Sequence, residues 1–245
     1  MTSSIKLSVS GVTKRYDGKT VIEDVSFELR DGEIISIVGE SGVGKTTLFN
    51  VAAGLTAPDE GSITLNGCDI TGVAGHVGYM SQKDLLLPYK TVMDNVTLPL
   101  VISGERKRSA RERAAKMFKK FGLSGYENAY PKSLSGGMRQ RAALLRTFFL
   151  SRDITLLDEP FSALDAITKT EMRSWYVDMA EEFGLSTLLI THDIDEAINL
   201  SDRVIILKGS PGRIYFDMEI RGKYTEFALS NDFLRYKRDI IEALN

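Results

Sequence analysis

Between Val25 and Arg30 the chain alternates apolar and polar residues (VSFELR), the period-two pattern of a strand with one wet face. Asp31 and Gly32 then supply a turn. The next run, Glu33 to Gly39 (EIISIVG), is almost continuously apolar and β-branched, as expected of a strand covered on both faces. After Gly44 the period changes to that of a helix: Leu48, Val51, Ala52 and Leu55 share one face, with Gly54 and Pro58 expected to end it. Gly61 to Gly67 (GSITLNG) reads as a further short strand between turns.

From about Gln82 to Ser151 the β-like alternation disappears. SARERAAKMFKKFGL puts Ala110, Ala114, Met117, Phe118 and Phe121 on one helical stripe, with Gly122 as a candidate cap. The opposite face carries Arg111, Arg113, Lys116, Lys119 and Lys120. Glu105 and Glu112 are mixed in and no aromatic interleaves the basic residues, so this face reads as solvated surface. A helix is also expected over Met138–Leu150. Strand–helix alternation then returns. DITLLDEP and STLLITHD have buried-strand patterns, and DRVIILKGSPGRIYF reads as two strands about a turn at Gly209–Gly212. The predicted fold is α/β: a P-loop NTPase core of mixed sheet with flanking helices and an antiparallel part, interrupted by an α-helical subdomain. The core is expected to comprise residues 1–82 and 152–221, the helical part 83–151, and a charged, helix-compatible tail 222–245.

Composition narrows the function little. Of 245 residues, 43% are hydrophobic and 26% charged, and the net charge of −2 gives no overall attraction to nucleic acid or anionic lipid. A single cysteine, Cys68, cannot form an internal disulfide; a reducing compartment is expected, with Cys68 a small turn or core residue. The N-terminus lacks the pattern of a secretory signal. No apolar run reaches the roughly 18–20 residues needed to span a bilayer; AALLRTFFL comes nearest and Arg146 interrupts it.

Candidate chemistry lies at the strand ends. Gly39, Glu40, Ser41, Gly42, Val43, Gly44, Lys45 and Thr46 fit G-x-x-x-x-G-K-[ST] between a buried strand and a helix, with Thr47 next. The glycines let backbone N–H groups face a phosphate chain and the helix dipole points at it. Lys45 brings a mobile positive charge, and the Thr46 hydroxyl can ligate Mg²⁺. An acid at position 40 is unfavourable there unless it faces solvent. Asp158 closes the apolar run ITLLD and can hold Mg²⁺ at the carboxyl edge of the sheet; Glu159 can take a proton from an attacking water. Gln82 stands at the joint between the two compositional regions, where it is either a magnesium or water contact or an ordinary surface residue. His192, one of two histidines, follows another buried run and can donate to a γ-phosphate, whereas His76 lies in a turn-rich segment. Ser135, Gly136 and Gly137 open a helix inside the helical region: a second phosphate contact, or an ordinary capped helix start.

Together these stretches resemble the nucleotide-binding subunit of ABC transporters. GESGVGKTT is similar to its Walker A loop, LSGGMRQR to the family signature, ITLLDE to Walker B, SALD to the D-loop, and His192 to the switch histidine. The resemblance implies ATP and Mg²⁺ as cofactors, and ATP hydrolysis coupled to transport. It also implies that Tyr16 stacks on adenine, that Gly39 to Thr47 bind the phosphates, and that Gln82 binds Mg²⁺ and relays nucleotide state. Glu159 becomes the general base and His192 the γ-phosphate sensor. Ser135, Gly137 and Gln140, with Gly136 in the same turn, act on ATP held by a second copy in a head-to-tail dimer, with Asp165 at the interface. LLLPYKTVMDNVTLPL, LDEPFSALDA, THDIDEAINLSDRVIIL and SPGRI look most like the nitrate/sulfonate/taurine importer group, which also serves pyrimidine precursors of thiamine. That likeness implies membrane permease subunits docking on LLLPYKTV, indirect partnership with a solute-binding protein, no nucleic-acid partner, and a peripheral place on the cytoplasmic face of the membrane. The alternative is an exporter or lipid-extraction ATPase. A chromosome-maintenance ATPase is disfavoured, because about ninety positions between Lys45 and Ser135 leave no room for a long coiled coil.

Overall fold

A computed structural model of the chain describes residues 4–150, 154–222, 227 and 230–244. The expected boundary at 151/152 and much of the tail's first part, 223–226 and 228–229, lie outside the described residues.

The chain begins with two long strands, β1 (Ile5–Tyr16) and β2 (Lys19–Arg30), paired antiparallel. Asp17 and Gly18 join them, both at positive φ. A two-residue turn of this kind matches the twist of the strands it connects. The expected strand at Val25–Arg30 is the inward/outward-alternating end of β2: Val25, Phe27 and Leu29 are buried between exposed Ser26, Glu28 and Arg30. With β4 (Glu60–Leu65) and β5 (Cys68–Asp69) they make a four-stranded sheet in the order β2-β1-β4-β5. Cys68 is exposed on β5 and takes no part in the core.

The second sheet has six strands in the order β10-β9-β3-β8-β7-β6. Its members are β3 (Ile34–Val38), β6 (Gly78–Met80), β7 (Ile154–Asp158), β8 (Ser186–Ile190), β9 (Arg203–Lys208) and β10 (Arg213–Glu219). All neighbours run parallel except β9 and β10. Every residue of β3, β7 and β8 is buried, which explains their unbroken apolar runs. The parallel strands therefore deliver their carboxyl ends to one edge.

The helix after β3, α1 (Lys45–Ala52), is shorter than its apolar spacing suggests. Leu48, Val51 and Ala52 are buried as expected, but Leu55 is 58% exposed, because the chain leaves the helix at Ala53 and turns through Gly54. Helices α2 (Val92–Val96), α3 (Leu98–Ile102), α4 (Lys107–Phe118) and α5 (Gly136–Phe148) form the helical region. In α4 the stripe Ala110, Ala114 and Phe118 is buried. Phe121 is buried just past the helix end, and Gly122 closes that end as expected, at φ 63 with its N–H donating to the Lys119 carbonyl and the Leu123 N–H to the Phe118 carbonyl. On the basic face Arg111 pairs with Asp94, Arg113 with Glu105 and Lys120 with Glu182. Helix α5 starts two residues before the expected Met138 and stops two before Leu150. The helical region shares a core with the sheet: Phe118, Leu145, Leu157, Tyr176 and Leu189 lie in one cluster.

The last elements are α6 (Ala166–Phe183), α7 (Ile194–Leu200) and α8 (Asn231–Leu244). Helix α8 buries Phe233, Tyr236, Ile240 and Ala243 in a cluster with Val38, Ala197, Ile198 and Ile206. The charged tail thus ends as an amphipathic helix covering α7 and β9. No helix among the described residues is long and apolar enough to cross a membrane.

Candidate active site

At the carboxyl edge of the six-stranded sheet a cavity of about 520 Å³ opens beneath the β3–α1 loop. Gly39 and Gly44 line it, with Lys45, Asp158, Glu159 and His192. Gly44 sits at φ 108 as the residue preceding α1, and a Cβ there would strike Ile22 on β2. Only glycine lets the loop turn so tightly against the neighbouring sheet.

Lys45 is buried, and its Nζ donates to the carbonyls of Gly39 (2.7 Å) and Glu40 (2.8 Å). Burial lowers its pKa, while Glu159 and Asp158 act in the opposite sense. The ammonium rests on the loop that it is suited to leave for a phosphate. Glu40 shares that loop through its backbone alone: its side chain is exposed and outside the cavity lining. This removes the objection to an acid at that position.

Asp158 ends β7 with its side chain buried. Its Oδ2 lies 3.4 Å from the Thr46 hydroxyl and 3.4 Å from the Tyr79 hydroxyl. Burial, and then the Glu159 charge, raise its pKa. Tyr79 sits on β6 against Phe49, and burial lifts its pKa too, so the phenol stays a donor. Sequence reading passed over Tyr79, although it lies three residues before Gln82 at the end of an apolar stretch.

Glu159 adopts φ 48, unusual for a residue with a side chain, and its N–H donates to the Ile190 carbonyl on β8. That backbone turn aims the carboxylate along the strand ends. Gln82 Nε2 donates to one oxygen at 3.0 Å, and His192 Nδ1 lies 3.1 Å from the other. Residues 82, 159 and 192, far apart in sequence, thus meet at one carboxylate. The backbone N–H of Thr191, just before His192, donates to the Ile37 carbonyl, which ties the histidine to the strand preceding the phosphate loop.

Other candidates lie apart from this cavity. Tyr16 is 44% exposed at the tip of the β1–β2 hairpin, with Lys14 over its ring, and does not line the cavity. Ser135 caps α5, its Oγ accepting from the Met138 N–H at 3.3 Å. Gly136 and Gln140 line a different cavity, and buried Gln140 donates to the Pro160 carbonyl. At Gly137 a Cβ would come within 2.8 Å of the Thr168 methyl on α6, so a side chain there would have to push Thr168 aside. None of Ser135, Gly136, Gly137 and Gln140 lines the phosphate-loop cavity of its own chain, although Gln82 borders both cavities. Asp165 caps α6 by accepting from the Thr168 N–H at 3.1 Å.

Among the described residues no cluster of three or more His, Cys, Asp or Glu could hold a metal ion. The Thr46 hydroxyl beside an unneutralised Asp158 carboxylate is instead a partial oxygen shell. It fits a small hard cation that takes its remaining oxygens from phosphate and water.

A fold with a phosphate loop, an acidic strand end and a helical region between them defines a class of nucleotide-hydrolysing cassette. The model of the ABC transporter family matches residues 22–162, and the chain belongs to that family, as an ATP-binding, ATP-hydrolysing subunit of the kind that energises solute transport. It is 46% identical to the formylaminopyrimidine import ATP-binding protein ThiZ of Halalkalibacterium halodurans, over 82% of this chain and 78% of that one. It is 41% identical to the taurine import ATP-binding protein TauB of Escherichia coli K12, over 85% of this chain and 82% of that one. Among solved structures, the dimer of the bacterial ABC transporter cassette MJ0796 matches with a TM-score of 0.76 at 29% identity, covering 88% of this chain and 99% of that one. A second MJ0796 dimer, in a post-hydrolysis state bound to ADP and Pi, has the same TM-score.

Proposed function

We propose that this chain powers import of a small solute as one of two identical ATPase subunits seated on the cytoplasmic face of a membrane permease. The observation that carries the chemistry is the Glu159 carboxylate, held between Gln82 and His192 at the rim of the phosphate-loop cavity.

On this reading the loop from Gly39 to Thr47 binds the phosphate chain through its N–H groups, and Tyr16 stacks on the adenine. Lys45 exchanges the carbonyls of Gly39 and Glu40 for outer phosphate oxygens. Glu159 orients a water and accepts its proton as the water attacks the γ-phosphorus in line. His192 donates to a γ-phosphate oxygen and senses its departure. Thr46, Asp158 and Gln82 would hold Mg²⁺, which neutralises charge on the phosphates when bound. Gln82 touches the base and stands where the helical part, residues 83–151, begins, so nucleotide state can move that part as a unit.

Ser135, Gly136, Gly137 and Gln140 then belong to the ATP of the partner copy. The dimeric solved relative supports this pairing, as does the absence of these four residues from the lining of their own phosphate-loop cavity. The permease contact is assigned to the segment after Gln82. Leu85 is 60% and Tyr89 72% exposed there, yet the backbone is held: Arg146 donates to the carbonyls of Asp84 and Leu85. Import is favoured by the two relatives named for it, which serve small polar organic solutes. Choice of solute rests with the permease and a separate solute-binding protein.

The direct test is Glu159→Gln. It is expected to bind ATP about as well as the parent while multiple-turnover hydrolysis falls roughly 100-fold or more. Near-normal turnover would remove Glu159 from the role of base.

A further inference from the structure

The residue after His192 is built into an ion cluster whose two cations lie outside the phosphate-loop cavity. Asp193 follows His192 directly and caps α7, its Oδ1 accepting from the Glu196 N–H at 3.0 Å. Its Oδ2 accepts from Lys169 Nζ at 2.8 Å and from Arg173 at 2.7 Å, both on α6. Arg173 also reaches Glu196 at 2.9 Å, and Glu196 is 1% exposed. The Asp193 N–H donates to the hydroxyl of buried Thr191, on the other side of the histidine. Two cations and two carboxylates therefore join the first two turns of α6 to the start of α7, with His192 in the short segment between Thr191 and Asp193. The His192 side chain itself is 61% exposed and touches only Glu159 among these groups.

Burial opposes the Asp193 charge, but Lys169, the Glu196 N–H and Arg173 hold its carboxyl well below the usual carboxylate range. That stabilises the fold, yet stability does not require the cluster to bracket a histidine. Only Glu196 is fully buried while Lys169, Arg173 and Asp193 are partly exposed, and desolvation offsets much of the attraction at the buried carboxylate. The Arg173 Nε, buried without a partner, adds to that cost. What an ion cluster does well is fix one geometry, since its hydrogen bonds are directional and a lone buried charge is strongly disfavoured. The geometry fixed here is that of the backbone on both sides of an exposed histidine. Helix α6 also begins at Asp165, so the same clamp sets the spacing between the Asp165 turn and His192.

We infer that Lys169 and Arg173 are positioning residues for ATP hydrolysis, acting through Asp193 and Glu196 to hold His192 in register with Glu159 and the γ-phosphate. The inference rests on the proposed role of His192. It predicts a change in turnover more than in nucleotide affinity, because neither cation lines the phosphate-loop cavity.

The test uses Arg173→Met combined with Glu196→Gln, which leaves no isolated charge, and Lys169→Met as a milder variant; melting curves verify folding. Turnover is expected to fall about tenfold or more for the double variant, with KM for ATP within about twofold of the parent. Arg173→Lys should recover part of it. The chain has only two histidines, so the imidazole Cε1–H signals of His192 and His76 are separable by NMR. The His192 signal should move or broaden in the double variant while that of His76 stays. In a His192→Ala background the double change should cost less than about a further twofold. A folded double variant with normal turnover and an unmoved His192 signal overturns the clamp, and so does full additivity with His192→Ala. Undiminished hydrolysis in His192→Ala alone would overturn both the clamp and the sensor role.

Discussion

Asp158 carries the least favoured charge at the nucleotide edge. Burial and the neighbouring Glu159 both oppose its ionisation, and only two hydroxyls at 3.4 Å and the Lys45 charge act the other way. A carboxyl whose pKa rises on folding penalises the folded state as pH climbs through and above the ordinary carboxylate range; below it, where the group is protonated in both states, the penalty vanishes. Magnesium- and nucleotide-free Asp158→Asn is therefore expected to melt about 2–4 °C above the parent near pH 7. The gap should close as pH falls below about 4. Calorimetry across that range checks both sign and window; an Asn variant less stable at pH 7 would contradict the assignment. The same variant should lose hydrolysis, the usual exchange of stability for a charged site. At this scale much of the site was legible. G-x-x-x-x-G-K-[ST] and LLDE name Lys45, Thr46, Asp158 and Glu159, because a phosphate site needs those groups at a strand end. Tyr79 was not legible, since nothing local distinguishes a tyrosine aimed at a carboxylate from one packed in a core. Nor was the outward turn of Glu40, which depends on how the loop lies against β2.

At the scale of elements, the later part of the loop after Gln82 is tied down by a side chain on a five-residue helix, as Arg146 ties its start. Asn95 is fully buried on α2. Its Oδ1 accepts from the Leu87 N–H, and its Nδ2 donates to the carbonyls of Leu87, Lys90 and Thr91. Removing it would take their partner from the Leu87 N–H and the Lys90 carbonyl, while the Leu87 and Thr91 carbonyls keep the N–H groups of Lys90 and Asn95. Asn95→Ala is expected to cost about 2–4 kcal/mol of stability, and to expose the segment 84–91 to protease before the rest of the chain. Denaturant titration and timed proteolysis measure both. An effect below about 0.5 kcal/mol would mean that water replaces the amide. Strands β3, β7 and β8 were readable because complete burial writes itself as continuous apolar sequence. Gly54 marked where α1 ends but not that Leu55, which keeps helical spacing, would be exposed beyond it; Ser135–Gly137 marked the opening of α5 but not that Gly136 and Gly137 are its first helical residues. Packing decides both: Gly137 is held against Thr168, and Gly54 lies against the backbone of Val73.

For the molecule as a whole, the central question is whether each nucleotide is shared between two copies. Pairing Lys45→Ala with Ser135→Arg in controlled mixed dimers answers it. With the two changes on opposite chains, both defects fall on one site and the other site stays intact, so about half of the activity should remain. With both on the same chain, each site carries one defect and activity should be nearly lost. Lys45 and Ser135 serving one chain's own nucleotide would give the opposite ranking. Radiolabelled phosphate release from purified mixed dimers distinguishes the two.

The sequence alone determined where a phosphate-loop motif lies, that the chain is α/β with a helical interruption, and that a second glycine turn opens a helix inside that interruption. Those features are local: a loop, a strand end and a helix start each need particular side chains or glycines at fixed spacing. Tertiary structure alone decided which of them meet. Parallel strand order brings Gln82, Glu159 and His192 to one point, with Glu159 turned by its positive φ and anchored to Ile190. It also leaves the Ser135 turn out of the lining of its own phosphate-loop cavity. The ion cluster that brackets His192 joins two helices whose charges are scattered in sequence. Such contacts join residues distant along the chain, and the energy that fixes them comes from burial and pairing across elements, which no local pattern records.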